Sequence, residues 1–269
     1  MPEGIATAVF KSDRIIVLAG LAIIIALAWV YMFYLVHDMS EKDLAMEMDM
    51  TMNMDMKMPG MHIWGFVDFF LLFIMWAVMM VAMMIPSAAP KVLVFSKINR
   101  QHHNQQSPFL ATAIFLLGYF IVWIGFSAVA SLAQWSLHSA TLLSPMMVST
   151  SPILGRVLLI SAGIFQFTPL KDTCLSHCRS PMGFFMTEWG KWNRGALIMG
   201  LRHGSFCVGC CWLIMALLFV AGVMNLLWVT IIAVYVLIEK VVPAGHWVSQ
   251  IIGILVIIWG LWTIAGTLF

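Results

Sequence analysis

Charge is what this chain has least of. Only 10% of its 269 residues are Asp, Glu, Lys or Arg, and the formal net charge is +2. Soluble domains carry about 25%. So near-neutral a balance leaves no electrostatic case for nucleic acid. Several functional patterns are missing too. The acidic residues lack EF-hand spacing, and no loop cradles a phosphate. There is no Ser-His-Asp arrangement and no ATPase motif to drive transport against a gradient. No internal repeat is present. Cysteine is sparse, with five in the chain, all between positions 174 and 211.

Apolar residues are abundant instead. They make up 62% of the chain, and the mean hydropathy is +0.97. Runs of about 18 or more apolar residues mark membrane-spanning helices. The expected fold is therefore all-α, a polytopic helical membrane protein forming a single transmembrane domain over 1–269. The runs predict seven spans, near 15–36, 63–85, 109–133, 153–169, 205–224, 226–238 and 247–268. The span at 153–169 contains Arg156 and that at 226–238 is short, so each is a candidate re-entrant segment and six spans are the alternative. The first run is too long for a signal peptide and ends in Trp29-Val30-Tyr31-Met32-Phe33-Tyr34 rather than small residues, so it should remain as an anchor. Pro86 is expected to end the second span, because the residue before a proline avoids the α region.

Lysine and arginine set the orientation. With the N-terminus inside, inner segments hold eleven: Lys11, Arg14, Lys91, Lys97, Arg100, Lys171, Arg179, Lys191, Arg194, Arg202 and Lys240. Outer segments hold Lys42 and Lys57. The expected arrangement is a multi-pass cell-membrane protein with a cytoplasmic N-terminus. A loop over 37–62 then lies outside, and a Cys/His-containing segment over 170–204 lies in the cytosol. Glu239-Lys240 reads as a marker of the inner interface.

The outer loop contains MEMDMTMNMDMKMPGM, residues 46–61, of which eight are methionine. Methionine usually fills cores, yet here it alternates with polar residues. A thioether is a soft ligand suited to Cu(I). Thiolates would oxidise outside the cell, where disulfides form. Met46, Met48, Met50, Met52, Met54, Met56, Met58 and Met61 are thus candidate copper ligands, joined by His62. Six acids in the loop against two lysines would concentrate cations there. The alternative is a disordered acidic loop, although disordered segments favour other residues over methionine.

The second span carries Met75, Met79 and Met83 at intervals of four, one stripe along a helix. Met80 and Met84 form an adjacent stripe. The pattern resembles the Met-x-x-x-Met element of eukaryotic-type copper channels. Helix packing alone is the competing explanation.

The cysteines form two groups. Cys174 and Cys178 bracket His177, and His203 precedes Cys207, Cys210 and Cys211. At about 100° per residue, His203, Cys207 and Cys210 share one helical face, with Cys211 to the side. Cys174, Cys178, Cys207 and Cys210 are candidate soft ligands, with His177 and His203 beside them. Cu(I) is the favoured ion, and zinc is an alternative at this Cys/His site. Apolar packing of free thiols and thiol–disulfide chemistry through the C-x-x-C spacing of Cys207 and Cys210 also stay open.

Several stretches resemble an uncharacterised bacterial and archaeal family of predicted metal-binding integral membrane proteins. They are Trp76 with Met79-Met80, Ala82-Met83-Met84 and Pro86-Ser87; Cys174, His177-Cys178-Arg179 and Pro181; His203-Gly204, Cys207 and Gly209-Cys210-Cys211-Trp212; Gly222-Val223-Met224-Asn225 with Trp228; and Glu239-Lys240 with Pro243 and Gly245. The resemblance implies metal binding within a membrane.

The expected function is Cu(I) handling: capture outside through the Met-rich loop and transfer to the Cys/His site near the cytoplasmic face. That would serve import or delivery to a cuproenzyme. Membrane lipid, the copper ion, and a membrane cuproenzyme complex or a copper chaperone are the expected partners. Rival readings are an accessory subunit of a membrane copper oxidase or monooxygenase holding one static metal, and a thiol–disulfide membrane oxidoreductase.

Overall fold

Long apolar runs with few breakers propagate as helix, and the first three helices are longer than the predicted spans. The computed structural model describes residues 3–52, 65–102, 108–139, 152–179, 192–243 and 245–265. Among these residues every regular element is helical: α1 (Glu3–Met52), α2 (Phe66–His102), α3 (Pro108–Ser139), α4 (Pro152–Phe165), α5 (Pro169–Arg179), α6 (Trp192–Ala216), α7 (Leu218–Ala221), α8 (Leu226–Val241) and α9 (Gly245–Ala265).

Among the described residues, five stretches are long and apolar enough to cross a membrane: 13–41, 66–100, 109–139, 193–221 and 245–264. A sixth appears if α4 and α5, bent by 64° at their junction, count as one broken span. α8 has only 16 residues. Large apolar side chains such as Leu27, Val30, Ile153, Leu255 and Trp262 face outward. So much exposed apolar surface is compatible with lipid contact.

Two expectations about α1 and α2 change. α1 runs through Met52, so Met46, Met48, Met50 and Met52 fall on its last turns rather than in a loop. No glycine or proline interrupts the chain from 41 to 58, and Glu, Met, Lys and Ala are good helix formers. Met54, Met56, Met58, Met61 and His62 lie outside the described residues. Pro86 does not end the second span, since α2 keeps both Pro86 and Pro90 inside it. An internal proline removes a backbone bond and crowds the preceding turn. Packing against α1, α3 and α8 holds this helix together. In the disturbed turn the Met84 carbonyl accepts from Ser87 Oγ at 2.9 Å and Tyr119 Oη at 3.3 Å.

The bend between α4 and α5 has a local cause. Pro169 sits at the first position of α5, where its missing N–H is harmless. Thr168 Oγ1 accepts from Lys171 N at 3.4 Å and donates to Phe165 O at 2.7 Å. This turn swings α5 onto α6. Past α7, Gly222 adopts φ 89°, a conformation glycine takes without penalty. Asn225 then caps α8, its Oδ1 accepting from Leu227 N at 3.2 Å and Trp228 N at 3.4 Å.

α3 and α6 pack backbone to backbone. A Cβ on Gly118 would lie 2.5 Å from Leu197 O, and one on Gly204 would lie 2.9 Å from Val122 Cβ. That close crossing brings Tyr119 of α3 against the cysteine-bearing face of α6. One apolar core joins Met32, Met75, Met79, Met80, Met83, Met84 and Met215 to all five cysteines.

Candidate metal centre

Helical periodicity gathers the thiols. On α6 the steps from His203 to Cys207 to Cys210 point one face inward, and Cys207, Cys210 and Cys211 are at most 1% exposed. On α5, Cys174 and Cys178 lie one turn apart on the side facing α6. Cys178 is buried in the same core as Cys207, Cys210 and Cys211. Cys174 packs over Gly209, where a Cβ would lie 2.9 Å from its Sγ. The two cysteine groups, far apart in sequence, thus become one buried cluster. All five thiols are free.

The cluster is closed by hydrogen bonds. Cys210 and Cys211 donate to the Cys207 carbonyl at 3.1 and 2.8 Å. Cys207 Sγ takes Lys240 Nζ at 2.8 Å and lies 3.2 Å from Tyr119 Oη. Lys91 Nζ donates to the His177 carbonyl and lies 3.3 Å from His203 Nδ1. The His203 ring stacks on Phe115 and Tyr119, with centroids 6.0 and 5.3 Å away. In this arrangement no group of three or more His, Cys, Asp or Glu is positioned to hold a metal ion among the described residues.

The predicted ligands fare differently. Cys174, Cys178, Cys207, Cys210 and Cys211 come together, with His203 at the edge. His177 does not join them. Its ring stacks on Phe206 at 4.3 Å, its Nδ1 lies 2.8 Å from Thr173 O, and the residue is exposed. When Cys174 and Cys178 face inward, the intervening His177 is turned about 100° away. The segment predicted as cytosolic over 170–204 is mostly α5 and the first half of α6, and the cysteines stand within helices. Met75, Met79 and Met83, with Met80 and Met84, are at most 3% exposed in the thiol-bearing core. Tyr119 Oη touches both the Met84 carbonyl and Cys207 Sγ, so α3 links the α2 backbone at Met84 to a thiol of α6.

Glu239-Lys240 turns into the protein core rather than toward solvent. Glu239 is 0% and Lys240 7% exposed, alongside Lys91 at 3% and Lys171 at 0%. Lys171 Nζ pairs with Glu239 Oε1 at 2.5 Å, and Tyr235 Oη donates to the same oxygen at 2.8 Å. Gln166 Oε1 accepts from Lys171 Nζ, Tyr235 Oη and Ser249 Oγ, linking α5, α8 and α9. The sequence alone assigns Lys91 and Lys171 no role beyond inner-side cations, and Lys240 none beyond that and its pairing with Glu239 as an interface marker. The available signal was a charged residue beside long apolar runs, which in a spanning helix marks a partner or a site. Removing these three from the eleven predicted as inner leaves eight against the two predicted as outer.

A family model described as PpoB2, copper chaperone, matches residues 73–263. It covers the Met stripe, both cysteine groups and the buried lysines, and begins after the Met-rich stretch. No curated protein and no solved structure matches the chain.

Proposed function

The chain belongs to the PpoB2 copper chaperone family, and from that premise we propose that it is a membrane-embedded protein that holds Cu(I) at the thiol cluster. Cys178, Cys207 and Cys210 are the first-choice ligands, with Cys174 and Cys211 adjoining and His203 at the rim. The observation that carries this reading is the contact of Lys240 Nζ with Cys207 Sγ, 2.8 Å apart in a buried core.

Thiols that merely fill a core need no cation beside them. An ammonium group in an apolar interior is costly unless it faces negative charge. Deprotonated cysteines holding a monovalent ion supply that charge: with two of the three thiols ionised and the third protonated, the thiolates and one Cu(I) carry a net single negative charge, which one lysine offsets. A divalent ion between the same two thiolates would give a neutral site and leave the buried Lys240 ammonium without a counter-charge. The lysine therefore favours Cu(I) over zinc. Binding requires thiols now engaged with the Cys207 carbonyl to turn toward the ion, a movement the short side chains can make by χ1 rotation.

The buried Met stripe supplies soft donors next to this cluster, and the Met-rich segment near 46–61 supplies more on the side that the charge bias puts outside. We read them as a capture segment and a route inward, ending in delivery to a cuproenzyme or a soluble carrier. Sulfur type then follows compartment, with thioethers where oxidation threatens and thiols where it does not.

The test is copper content. Full-length protein purified in detergent and loaded with Cu(I) under reducing conditions should retain copper. Cys178→Ser/Cys207→Ser/Cys210→Ser should retain less than a tenth as much while keeping its helical content. Equal retention by that variant overturns the assignment.

A further inference from the structure

A cleft of about 800 Å³ opens between α1, α2 and α8, away from the thiols. We propose that it is a binding site for an anionic phospholipid. The reasoning rests on the membrane reading but not on copper.

The cleft exists because α2 presents small side chains there: Pro86, Ala89 and Pro90 share one face at helical spacing and cannot fill the gap to α1 and α8. Its polarity changes along one axis. On α2 this face passes from those residues through Leu93 to Lys97 and Arg100. On α1, Leu18 gives way to Arg14 and Asp13 in the same direction. α8 adds only apolar Leu237 and Val241. The charged end is the one where Arg100 pairs with Asp13 and ties α1 to α2. The cation bias puts that end inside.

The lining holds Arg14, Lys97 and Arg100 against Asp13, an excess of two positive charges. Asp13 is engaged by Arg100, which leaves Arg14 and Lys97, both exposed, to face a phosphate. A headgroup phosphate between cations with an acyl chain laid along Leu18, Leu93 and Leu237 matches this gradient. Neither a free phosphate nor an apolar molecule would use both ends. Basic pockets between spanning helices at the inner face are suited to anionic headgroups.

The experiment is native mass spectrometry of the full chain, released from nanodiscs of phosphatidylglycerol and phosphatidylcholine with matched acyl chains. The expected result is one retained phosphatidylglycerol, favoured at least fivefold over phosphatidylcholine. Arg14→Gln/Lys97→Gln should abolish the preference, and Arg14→Lys/Lys97→Arg should keep it. Ala89→Trp, which fills the cleft without changing charge, should lower retention of bound lipid. Equal retention of both lipids by wild type, or a preference that survives in the double Gln variant, overturns the proposal. So does glycerol 3-phosphate competing as well as the intact lipid, which would mean recognition of phosphate alone. If the double Gln variant does not fold, Ala89→Trp decides by the same reading. Copper retention measured on the same samples should not change, which keeps failure of this site distinct from failure of the thiol cluster.

Discussion

At the residue scale, the informative groups are the buried lysines. Lys240 reaches Cys207, and Lys171 pairs with Glu239, with both partners of each contact buried. Breaking a buried pair by removing one partner costs about 3–5 kcal/mol, because the other charge is stranded, whereas replacing both with apolar groups is often neutral. Glu239→Gln should therefore lower the unfolding midpoint in detergent by an amount consistent with that cost, and Lys171→Met/Glu239→Leu should recover most of it. Additive losses in the double variant would show that the pair is not coupled. Lys240→Met should act on the metal rather than the fold. We expect about a tenfold loss of Cu(I) affinity with a smaller loss for zinc, following from about 1.4 kcal/mol of lost charge compensation. Competition with a Cu(I) chelator measures it, and an unchanged Cu(I)-to-zinc ratio would contradict the role given to this lysine.

At the element scale, position depends on two close approaches. α3 and α6 meet through Gly118, Gly200 and Gly204, where added Cβ atoms would strike backbone or the Val122 side chain. A methyl group at Gly200 would press on the Phe115 carbonyl, which is backbone and cannot swing aside. Gly200→Ala should therefore cost about 1–3 kcal/mol, the range for overpacking, and weaken Cu(I) retention by moving Tyr119 from Cys207. Gly20→Ala, where nothing lies within 4 Å, should change neither midpoint nor copper. Two α2 features were read differently in sequence. The Met stripe was legible as a face, because periodicity is local. The fate of Pro86 was not, because neighbouring helices decide whether a strained turn survives.

At the scale of the whole molecule, the family match leaves out the Met-rich stretch, since it begins at residue 73. In the proposed function, storage and capture are thus separable. Replacing the methionines from Met46 to Met61 with leucine should leave the loaded copper content unchanged at saturating Cu(I). It should slow loading several-fold at limiting Cu(I), followed by the rate of copper uptake into purified protein. Unchanged loading at limiting copper would remove the stretch from the pathway.

The sequence by itself determined the all-helical character, the apolar stretches long enough to cross a membrane, the soft-donor chemistry and which cysteines share a helical face. All of these follow from composition and from periods of a few residues. Only the tertiary structure decided that Cys174 and Cys178 share one core with Cys207 and Cys210, that the His177 ring turns away, and that Glu239 and three lysines are buried. Those outcomes depend on which surfaces of distant helices exclude water together. The sequence positions of a charge and a thiol carry no record of that until α5 folds back on α6 and the α3–α6 crossing closes over both.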